Sequence, residues 1–254
     1  MGAPAPVLVD LGPGVGAAFT TRVGGISLAP YGDLNLGLHV ADDPHAVRTN
    51  RARTARSLGV EPERVTWADQ VHGHRVAVVT EADAGRGSCD VTDALPGADA
   101  LVTAAPEVPL AILVADCVPV LLADANRRVV GAVHAGRRGL VAGVVAHAVQ
   151  AMRDNGAALD EVVAVIGPAI GACCYDVGDE VHDEVTGVLP VTAAASRSGG
   201  RSLDLVAGVR AELSAAGVST TTTVGGCTSC QRGFWFSHRR DGVTGRTAAI
   251  VWLR

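Results

Sequence analysis

The sequence contains no lysine, and all 21 of its basic residues are arginine. This absence excludes three kinds of catalytic site: a Schiff-base lysine, a P-loop lysine and a serine–lysine nucleophile pair. Any anion that the protein binds must therefore be held by arginine, histidine or backbone N–H groups.

Aromatic residues are scarce, at 3% of a chain that is 48% apolar, so the core must consist mainly of valine, alanine and leucine. The longest apolar stretch, around residues 108–123, is interrupted by Asp116 and Pro119 and cannot span a bilayer. There is no basic block and the net charge is −5, which argues against a nucleic-acid-binding surface. We expect neither a membrane nor a nucleic-acid partner.

A targeting segment is also lacking. No positive charge precedes Arg22, the N-terminal region has no long apolar segment, and Pro6 breaks the myristoylation pattern. Six cysteines in a chain of 254 residues without such a signal indicate reduced thiols rather than a disulfide framework. We therefore expect a cytoplasmic protein.

Short apolar segments alternate along the chain with longer segments of helical periodicity, and the two patterns predict strands and helices respectively. The predicted strands cover residues 16–21, 65–67, 75–80, 110–114, 118–123, 129–133, 162–166, 218–224 and 247–253. The predicted helices cover residues 42–59, 138–155, 177–186 and 203–216. This alternation favours an α/β or α+β fold with a mixed sheet. The only candidate linker, residues 81–97, is too short to establish a domain boundary.

Two residues with metal-binding side chains stand at the ends of predicted strands. Cys117 follows the strand 110–114, and His134 follows the strand 129–133. This is the sheet edge at which α/β proteins place their chemistry. His72 is a candidate third ligand, since it follows a short strand in a glycine-bounded loop. A His–Cys–His set leaves one tetrahedral position open, as in catalytic zinc sites; a buried structural cysteine and a core histidine are the alternative interpretation.

Eight motifs along the chain resemble the laccase-domain family. They are TTRVGGIS from residue 20, LNLGLH from 34, NR at 50–51, QVHG at 70–73, ADCVPVLL at 115–122, HAGRRG at 134–139, IGPAIG at 166–171 and SHRRDGVTGR at 237–246. They occur in family order over nearly the whole chain. This family was formerly labelled multi-copper polyphenol oxidase, and its members are regarded as purine nucleoside phosphorylases with adenosine deaminase activity.

The resemblance implies a single compact α/β domain over residues 1–254, with His72, Cys117 and His134 as zinc ligands. Copper would also bind such a ligand set in vitro. The implied substrates are phosphate and purine nucleosides: adenosine, inosine and, as a further candidate, methylthioadenosine. Arg137 and His238 stand where the family has tryptophan and tyrosine, so the preferred nucleoside stays open, as does the oligomeric state.

Arginines must position the phosphate, because the chain has no lysine. Arg22 and Arg138 are our candidates, since each lies in a glycine-containing loop beside a motif. Arg138 is also expected near a helix N-terminus, which favours anions. For three other arginines a solvated surface position is an equal alternative: Arg51, Arg239 and Arg240.

Three polar residues complete the candidate site. Asn35 and Gln70 are expected to hydrogen-bond the ribose or the base. Asp116, next to Cys117, is expected to orient a zinc ligand or to shuttle a proton; the alternative is that it only caps the turn after its strand.

Three other functions stay open at this stage. Cys117 with His134 or His72 would form the nucleophile and base of an enzyme that cleaves an amide, and the resemblance implies peptidoglycan precursors as the substrate, because such an amidase role has been attributed to some members of the family. A copper-dependent polyphenol oxidase would need more than the eight histidines present, which include one His-x-His pair, His72 and His74. A metal-binding module without enzymatic activity is the third alternative.

The other cysteines give weaker signals. Cys227 and Cys230 have CxxC spacing, which indicates zinc or redox chemistry when a second CxxC pair is present. The sequence contains no second CxxC pair. We predict a structural or incidental role for this pair, packing roles for Cys173 and Cys174, and a surface position for Cys89.

Overall fold

Fourteen strands and six α-helices lie within residues 5–254, the part of the chain that this computed structural model describes. The strands are β1 (Val7–Leu8), β2 (Val15–Phe19), β3 (Thr66–Asp69), β4 (Val76–Val78), β5 (Leu95–Pro96), β6 (Ala100–Thr103), β7 (Leu110–Val114), β8 (Val118–Asp124), β9 (Val129–Ala135), β10 (Val163–Ile166), β11 (Ala193–Ala195), β12 (Arg201–Leu203), β13 (Thr220–Thr223) and β14 (Thr247–Leu253). The helices are α1 (Pro44–Ser57), α2 (Arg137–Val141), α3 (Val144–Asp154), α4 (Asp179–Val188), α5 (Leu205–Ala215) and α6 (His238–Asp241).

Residues 1–4, at the start of the segment in which we expect no targeting signal, lie outside the described residues. Among residues 5–254, every helix is too short or too polar to cross a membrane.

The strands form two six-stranded sheets and one short two-stranded ribbon. The first sheet has the order β1-β2-β14-β7-β3-β5, and the second has the order β13-β10-β8-β9-β6-β4. Both mix parallel and antiparallel neighbours, since β3 is parallel to β7 and β10 is parallel to β13 while most other pairs are antiparallel. The predicted α+β fold with mixed sheets is therefore confirmed.

The two sheets pack against each other, and helices cover their outer faces. Alternate residues of a strand point to opposite faces of its sheet. In β8, Leu121 packs between the sheets, whereas Val120 and Leu122 pack against the layer of α3 and α5. In β7, Ile112 packs between the sheets and Leu113 faces the opposite side, towards Trp67 and α1. Both faces are buried, which explains the continuous apolar runs of the central strands.

The predicted helix 138–155 is wrong as a single helix, because the chain breaks it into α2 and α3. Gly143 lies between them with φ +79°, the left-handed region that glycine enters without strain. The apolar periodicity continues through the break, so the sequence pattern does not distinguish one continuous helix from two. As a result, Arg138 lies on a helix of only five residues.

Residues 81–97, the candidate linker, are part of the domain. Leu95 and Pro96 form β5, which pairs with β3. The backbone N–H of Trp67 donates to the carbonyl of Arg86 at 2.9 Å. Gly87 lies so close to Trp67 that an added Cβ would be 3.0 Å from the Cβ of that residue. The segment is rich in glycine because it packs closely, and not because it connects two units.

Candidate metal centre and its cavity

Three separate elements bring the predicted metal ligands together. Cys117 lies in the turn from β7 to β8, His134 lies in β9, and His72 lies in the loop after β3. Since β8 and β9 are antiparallel, with Pro119 paired to His134, the histidine is brought close to the cysteine. One ligand atom from each of His72, Cys117 and His134 lies within 4.8 Å of the others. The rings of the two histidines meet edge to face, with centroids 4.8 Å apart.

Asp99 is a residue of the site that the sequence analysis missed. Its carboxylate is fully buried and lies 2.8 Å from Nδ1 of His134. It also accepts backbone N–H bonds from Val71, His72 and Gly73, at 3.2, 2.9 and 2.7 Å. A carboxylate on Nδ1 fixes that nitrogen as the donor and leaves Nε2 to act as the ligand. The sequence signal was an aspartate enclosed by apolar residues just before a strand.

Gly136 permits the three ligands to approach each other. A Cβ at this position would lie 2.8 Å from Cδ2 of His72 and 3.3 Å from Sγ of Cys117. Real Cβ atoms do not approach carbon as closely as 2.8 Å, so any larger residue would displace the exposed ring of His72. The glycine of the HAG motif is thus required by the site itself.

The thiol and the imidazole of the centre shift each other's ionisation. Burial raises the pKa of Cys117, but the positive charge of His134 and the hydrogen bonds from His134 and His72 outweigh burial and lower this pKa to about 6. Burial lowers the pKa of His134, but Cys117 and Asp99 outweigh it and raise this pKa to about 9. Cysteine binds metals and attacks carbonyls as the thiolate, so the pair favours the reactive form of Cys117.

The centre opens into a cavity of about 520 Å³, within the range of small-molecule sites. Two acidic residues, Asp69 and Asp116, and five arginines are among its lining residues; the arginines are Arg51, Arg137, Arg138, Arg239 and Arg246. Within residues 5–254, only Arg137 of these five forms a salt bridge, at 3.1 Å from Glu184. Five arginines and two aspartates leave the described lining with an excess of positive charge, and four of the five arginines form no salt bridge within residues 5–254.

Arg51 is buried, so the solvated surface position considered for it is wrong. It is 8% exposed and donates to the carbonyls of Leu36 and Gly87, at 2.8 and 2.6 Å. Its guanidinium lies over the ring of Trp67, 3.8 Å from the centroid. Burial lowers the pKa of Arg51 to about 9. This arginine holds the wall of the cavity together through backbone carbonyls.

Gln70 and Arg138, two of the predicted substrate-binding residues, line the cavity. The side-chain amide of Gln70 donates to the carbonyl of Leu113 and accepts from its N–H, at 2.8 and 2.7 Å. Arg138 is exposed and donates to the carbonyl of Val71 at 3.2 Å. Gln70 is thus bound to β7, whereas most of the Arg138 guanidinium faces the opening.

Asp116 also lines the cavity and joins it to the C-terminal part of the chain. Its carboxylate accepts the hydroxyl of Thr228 at 2.5 Å and the backbone N–H of Arg239 at 2.7 Å. Its backbone has φ +97°, an unusual value for a residue other than glycine. These contacts agree with a residue that supports the turn before Cys117.

Arg22 and Asn35 are not among the residues that line this cavity. Arg22 donates to the carbonyls of Gly32 and Arg232 and lies over the ring of Phe236. Asn35 is fully buried, accepts the N–H of Gly37 and Arg246, and donates to Asp42. The geometry therefore gives both residues structural contacts in place of the predicted substrate contacts.

Three lining residues were not predicted to bind substrate. The side chain of His39 is exposed within the cavity, and desolvation together with the charges of Arg246 and Arg51 lowers its pKa to about 4. Tyr175 stacks against Arg239, whose guanidinium is 4.9 Å from the ring centroid. His238 donates from Nδ1 to the carbonyl of Gly242 at 2.6 Å, which leaves Nε2 for another partner.

The chain is similar to known proteins over most of its length. The family described as multi-copper polyphenol oxidoreductase laccase matches residues 16–254. A protein of Streptomyces griseus named purine nucleoside phosphorylase is 49% identical over 236 residues, with 93% of each chain covered. A protein of Streptomyces coelicolor with the same name is 50% identical over 92% of this chain and 94% of its own.

Two solved structures are similar to the whole chain. The structure of YfiH from Bacillus licheniformis, titled a hypothetical protein, has a TM-score of 0.93 and 38% identity, and the match covers 99% of this chain and 97% of that one. The structure of YlmD from Geobacillus stearothermophilus has a TM-score of 0.90 and 40% identity, with 95% and 93% covered.

Proposed function

The chain belongs to the family described as multi-copper polyphenol oxidoreductase laccase, and we propose that it is a zinc-dependent purine nucleoside phosphorylase that also deaminates adenosine. The observation that carries the proposal is a cavity with a His–Cys–His set at one side and four arginines that form no salt bridge within residues 5–254. Relatives about half identical in sequence are named purine nucleoside phosphorylase. The substrates would be a purine nucleoside and phosphate.

The ligand chemistry supports zinc as the metal. His72, Cys117 and His134 offer two imidazoles and one thiol, the donors that zinc favours, and three such protein ligands are typical of catalytic zinc. Gly136 leaves the space between them open. A zinc ion held by these residues would supply Lewis acidity at this side of the cavity.

Phosphorolysis requires the protein to hold an anion against the ribose. A phosphate oxygen forms a bond to C1′ while the bond from C1′ to the purine nitrogen breaks, which gives ribose 1-phosphate and the free base. We assign the phosphate to Arg138, Arg239 and Arg246, because each lines the cavity and forms no salt bridge within residues 5–254. One nitrogen of Arg239 donates to the carbonyl of Asp176, and one nitrogen of Arg246 donates to those of Thr244 and Gly245, which leaves the other nitrogens of each guanidinium for the anion. Arginine binds phosphate through charge-assisted, often bidentate, hydrogen bonds.

The leaving base gains negative charge as the glycosidic bond breaks, so a donor near it lowers the barrier. We assign this role to His238 as the imidazolium: its Nδ1–H is donated to the carbonyl of Gly242, and only the doubly protonated ring has a second N–H, on Nε2, to donate to the base. Asp116 would act as a positioning residue, because its carboxylate holds Thr228 and the N–H of Arg239. Gln70, bound to β7, would shape the wall beside the nucleoside.

Deamination would use the same cavity without phosphate. Water adds to C6 of adenosine, and ammonia leaves as the C6–N bond breaks, so inosine is the product. Inosine is itself a substrate for phosphorolysis, and the two reactions would therefore follow each other at one site.

The test measures products from the purified full chain loaded with zinc. Adenosine and inosine should give free base and ribose 1-phosphate only when phosphate is present, and Cys117→Ala should lose both reactions together with the zinc ion of the cavity. Arg138→Ala should keep its zinc while its KM for phosphate rises about 10- to 150-fold, the equivalent of 1.5–3 kcal/mol for a hydrogen bond to a charged group. Deamination should change less.

Arg153→Ala is the matched control, because Arg153 is exposed on α3 and does not line the cavity. If the zinc-loaded protein releases no base from any purine nucleoside, phosphorolysis is wrong. If Arg138→Ala loses zinc and both reactions equally, Arg138 supports the structure and does not bind phosphate.

A cysteine hydrolase is the second candidate, and one specific arrangement favours it. Cys117, His134 and Asp99 are connected as nucleophile, base and orienting carboxylate, with 2.8 Å between the imidazole and the carboxylate. Such an amidase would stay active after chelation and be inactivated by alkylation of Cys117. Cleavage of a muropeptide amide by metal-free protein would favour this candidate over the phosphorylase.

A further inference from the structure

Four cysteines outside the cavity come together at one edge of the second sheet. Cys173 and Cys174 follow β10, while Cys227 and Cys230 follow β13. These two strands are parallel neighbours, so the loops after them leave the sheet at the same edge. All four sulfur atoms lie within 4.8 Å of one another. The sequence analysis treated the two pairs separately and predicted packing or incidental roles, because spacing along the chain could not show that they meet.

The distances between the sulfurs suit one metal ion. Sγ of Cys230 lies 3.4 Å from that of Cys174 and 3.7 Å from that of Cys173. Four sulfurs at about 2.3 Å from a tetrahedral zinc are separated from each other by about 3.8 Å. A disulfide would need a separation of about 2.05 Å. An iron–sulfur cluster would need the four sulfurs to be farther apart than they are.

Groups around the four cysteines would stabilise thiolates. The backbone N–H of Gly171 donates to Sγ of Cys227 at 3.2 Å. The guanidinium of Arg240 donates to the carbonyls of Thr228 and Ser229, at 2.7 and 3.1 Å, within the CxxC turn. Four thiolates around one zinc ion carry a net charge of two negative units, and a nearby arginine offsets part of it.

We propose that Cys173, Cys174, Cys227 and Cys230 bind a zinc ion, distinct from the metal of the cavity and structural in role. Four protein ligands close the tetrahedron and leave no position for a substrate. On binding, the four thiols release their protons to solvent and each sulfur forms one bond to the ion, with no change in oxidation state.

The second metal would fix one wall of the cavity. The loop after β10 contributes Ile170 and Tyr175 to the lining. The loop after β13 carries Thr228, whose hydroxyl is bound to Asp116. Without a metal, hydrogen bonds join these two loops, and one of them runs from the backbone N–H of Thr228 to the carbonyl of Ala169, at 3.0 Å. A metal link between them would hold Tyr175 in place beside the catalytic centre.

Metal content tests the proposal. The full chain is purified under reducing conditions, loaded with zinc, freed of excess by dialysis and measured by elemental analysis. We expect two zinc ions per chain in the wild type, one in Cys117→Ala and one in Cys230→Ser or Cys174→Ser. Cys89→Ser is the matched control and should keep two, because Cys89 is exposed and lies outside both groups.

Cobalt substitution identifies the ligands even if a variant folds poorly. Tetrahedral Co²⁺ with four thiolates absorbs at longer wavelength and more strongly than Co²⁺ with one thiolate and two imidazoles. The four-thiolate spectrum should persist in Cys117→Ala and disappear in Cys230→Ser.

Several results would overturn the proposal. Reduced Cys117→Ala that binds no zinc and shows no four-thiolate spectrum excludes the site. Iron in place of zinc in the native protein excludes the assigned metal. Protein from cells with a disulfide between these cysteines and no second metal would identify a redox pair instead. None of these results depends on whether the cavity carries out phosphorolysis.

Discussion

At the scale of single residues, the carboxylate of Asp99 contacts two of the three candidate ligands. It binds Nδ1 of His134 and the backbone N–H of His72. Burial raises its pKa, but the hydrogen bonds from His134 and from backbone N–H groups outweigh burial and lower the pKa below its ordinary value. Asp99 is therefore ionised at neutral pH, and it connects the loop after β3 to β9.

Asp99→Asn should weaken zinc binding at His72, Cys117 and His134. The amide keeps the shape of the side chain but replaces one acceptor oxygen with an NH₂ group. This group cannot accept the N–H of His134 or of the backbone, so His134 loses its fixed orientation. Loss of such a partner typically costs 10- to 100-fold in metal affinity. Competition with a chromogenic chelator would measure the change.

Asp69→Asn is the control, since Asp69 lines the cavity and, within residues 5–254, its carboxylate forms no hydrogen bond or salt bridge to His72, Cys117 or His134. If the two variants bind zinc equally, Asp99 serves only the fold of its loop. Were the zinc affinity of Asp99→Asn to equal that of the wild type, the prediction would be wrong.

The residues that the sequence could predict differ physically from those it could not. Cys117 and His134 stand at strand ends in motifs, and the structure brings them together with His72. Arg22 and Asn35 also lie in motifs, but backbone groups satisfy their side chains. A motif identifies a position with a fixed environment, and only the fold shows whether that environment contains substrate or the protein's own carbonyls.

At the scale of elements, the packing of α5 against α3 includes a carboxylate that is poorly solvated. Glu212, in α5, lies beside the N–H groups of Ala146 and Val145 at the start of α3. Burial raises the pKa of Glu212 to about 7, although these N–H groups lower it. One carboxylate oxygen is buried without a hydrogen-bond partner among the described residues.

Glu212 should make the protein less stable as the pH rises from about 4.5 to 7. The folded state binds the proton more tightly than the unfolded state, so the stabilisation is complete below the unfolded pKa and is lost as the pH rises through the folded pKa. Glu212→Gln should therefore be more stable than the wild type at pH 8, by about 1–2 kcal/mol after allowance for partial exposure. At pH 5 the two should be nearly equal. Urea unfolding at both pH values would measure this.

Glu107→Gln is the control for this experiment. Glu107 is exposed, and its substitution removes one negative charge, as Glu212→Gln does. A gain of the same size in both variants would attribute the effect to net charge and contradict the role of burial.

The sequence predicted the long buried strands but not the shorter ones: β1, β5, β6, β11 and β12 were not predicted. The central strands are buried on both faces, so their apolar runs were unambiguous. The helix predicted over 138–155 failed at Gly143, because a single glycine within a periodic segment is compatible with either a helix or a break. Backbone conformation at one residue decided the outcome.

At the scale of the whole molecule, net charge and cavity charge have opposite signs. The protein carries −5 overall, whereas four cavity arginines have no carboxylate partner among the described residues. An anion would therefore be attracted by the local potential of the cavity and not by the protein as a whole. At an ionic strength of 0.15 M, charges are screened over about 8 Å, which limits the attraction to the cavity and its mouth.

If phosphorolysis is the reaction, added salt should raise the KM for phosphate more than the KM for the nucleoside. Raising the ionic strength tenfold from low salt should increase the KM for phosphate several-fold and change the KM for inosine little, since inosine is neutral. The measurement should be repeated with two salts of different anions, to separate screening from competition at the anion site. An equal rise in both KM values would contradict a cationic phosphate site.

Strand order is the part of the fold that the sequence could not provide. The apolar runs predicted β7 and β14, but nothing in either run shows that they are hydrogen-bonded neighbours. Pairing of this kind joins residues far apart in the chain, and local pattern carries no information on it. The cluster of four cysteines stayed hidden for the same reason.

The position of β14 determines when the protein can fold during its synthesis. This strand lies in the interior of the first sheet, between β2 and β7, although β2 is made more than two hundred residues earlier. The chain is synthesised from its N-terminal end. The edges of β2 and β7 that pair with β14 therefore stay unpaired until residues 247–253 have left the ribosome. The turn that carries Cys117 follows β7 directly. A chain that lacks β14 would therefore leave the facing edges of β2 and β7 unpaired, and exposed strand edges of this kind make a partly folded chain prone to aggregation.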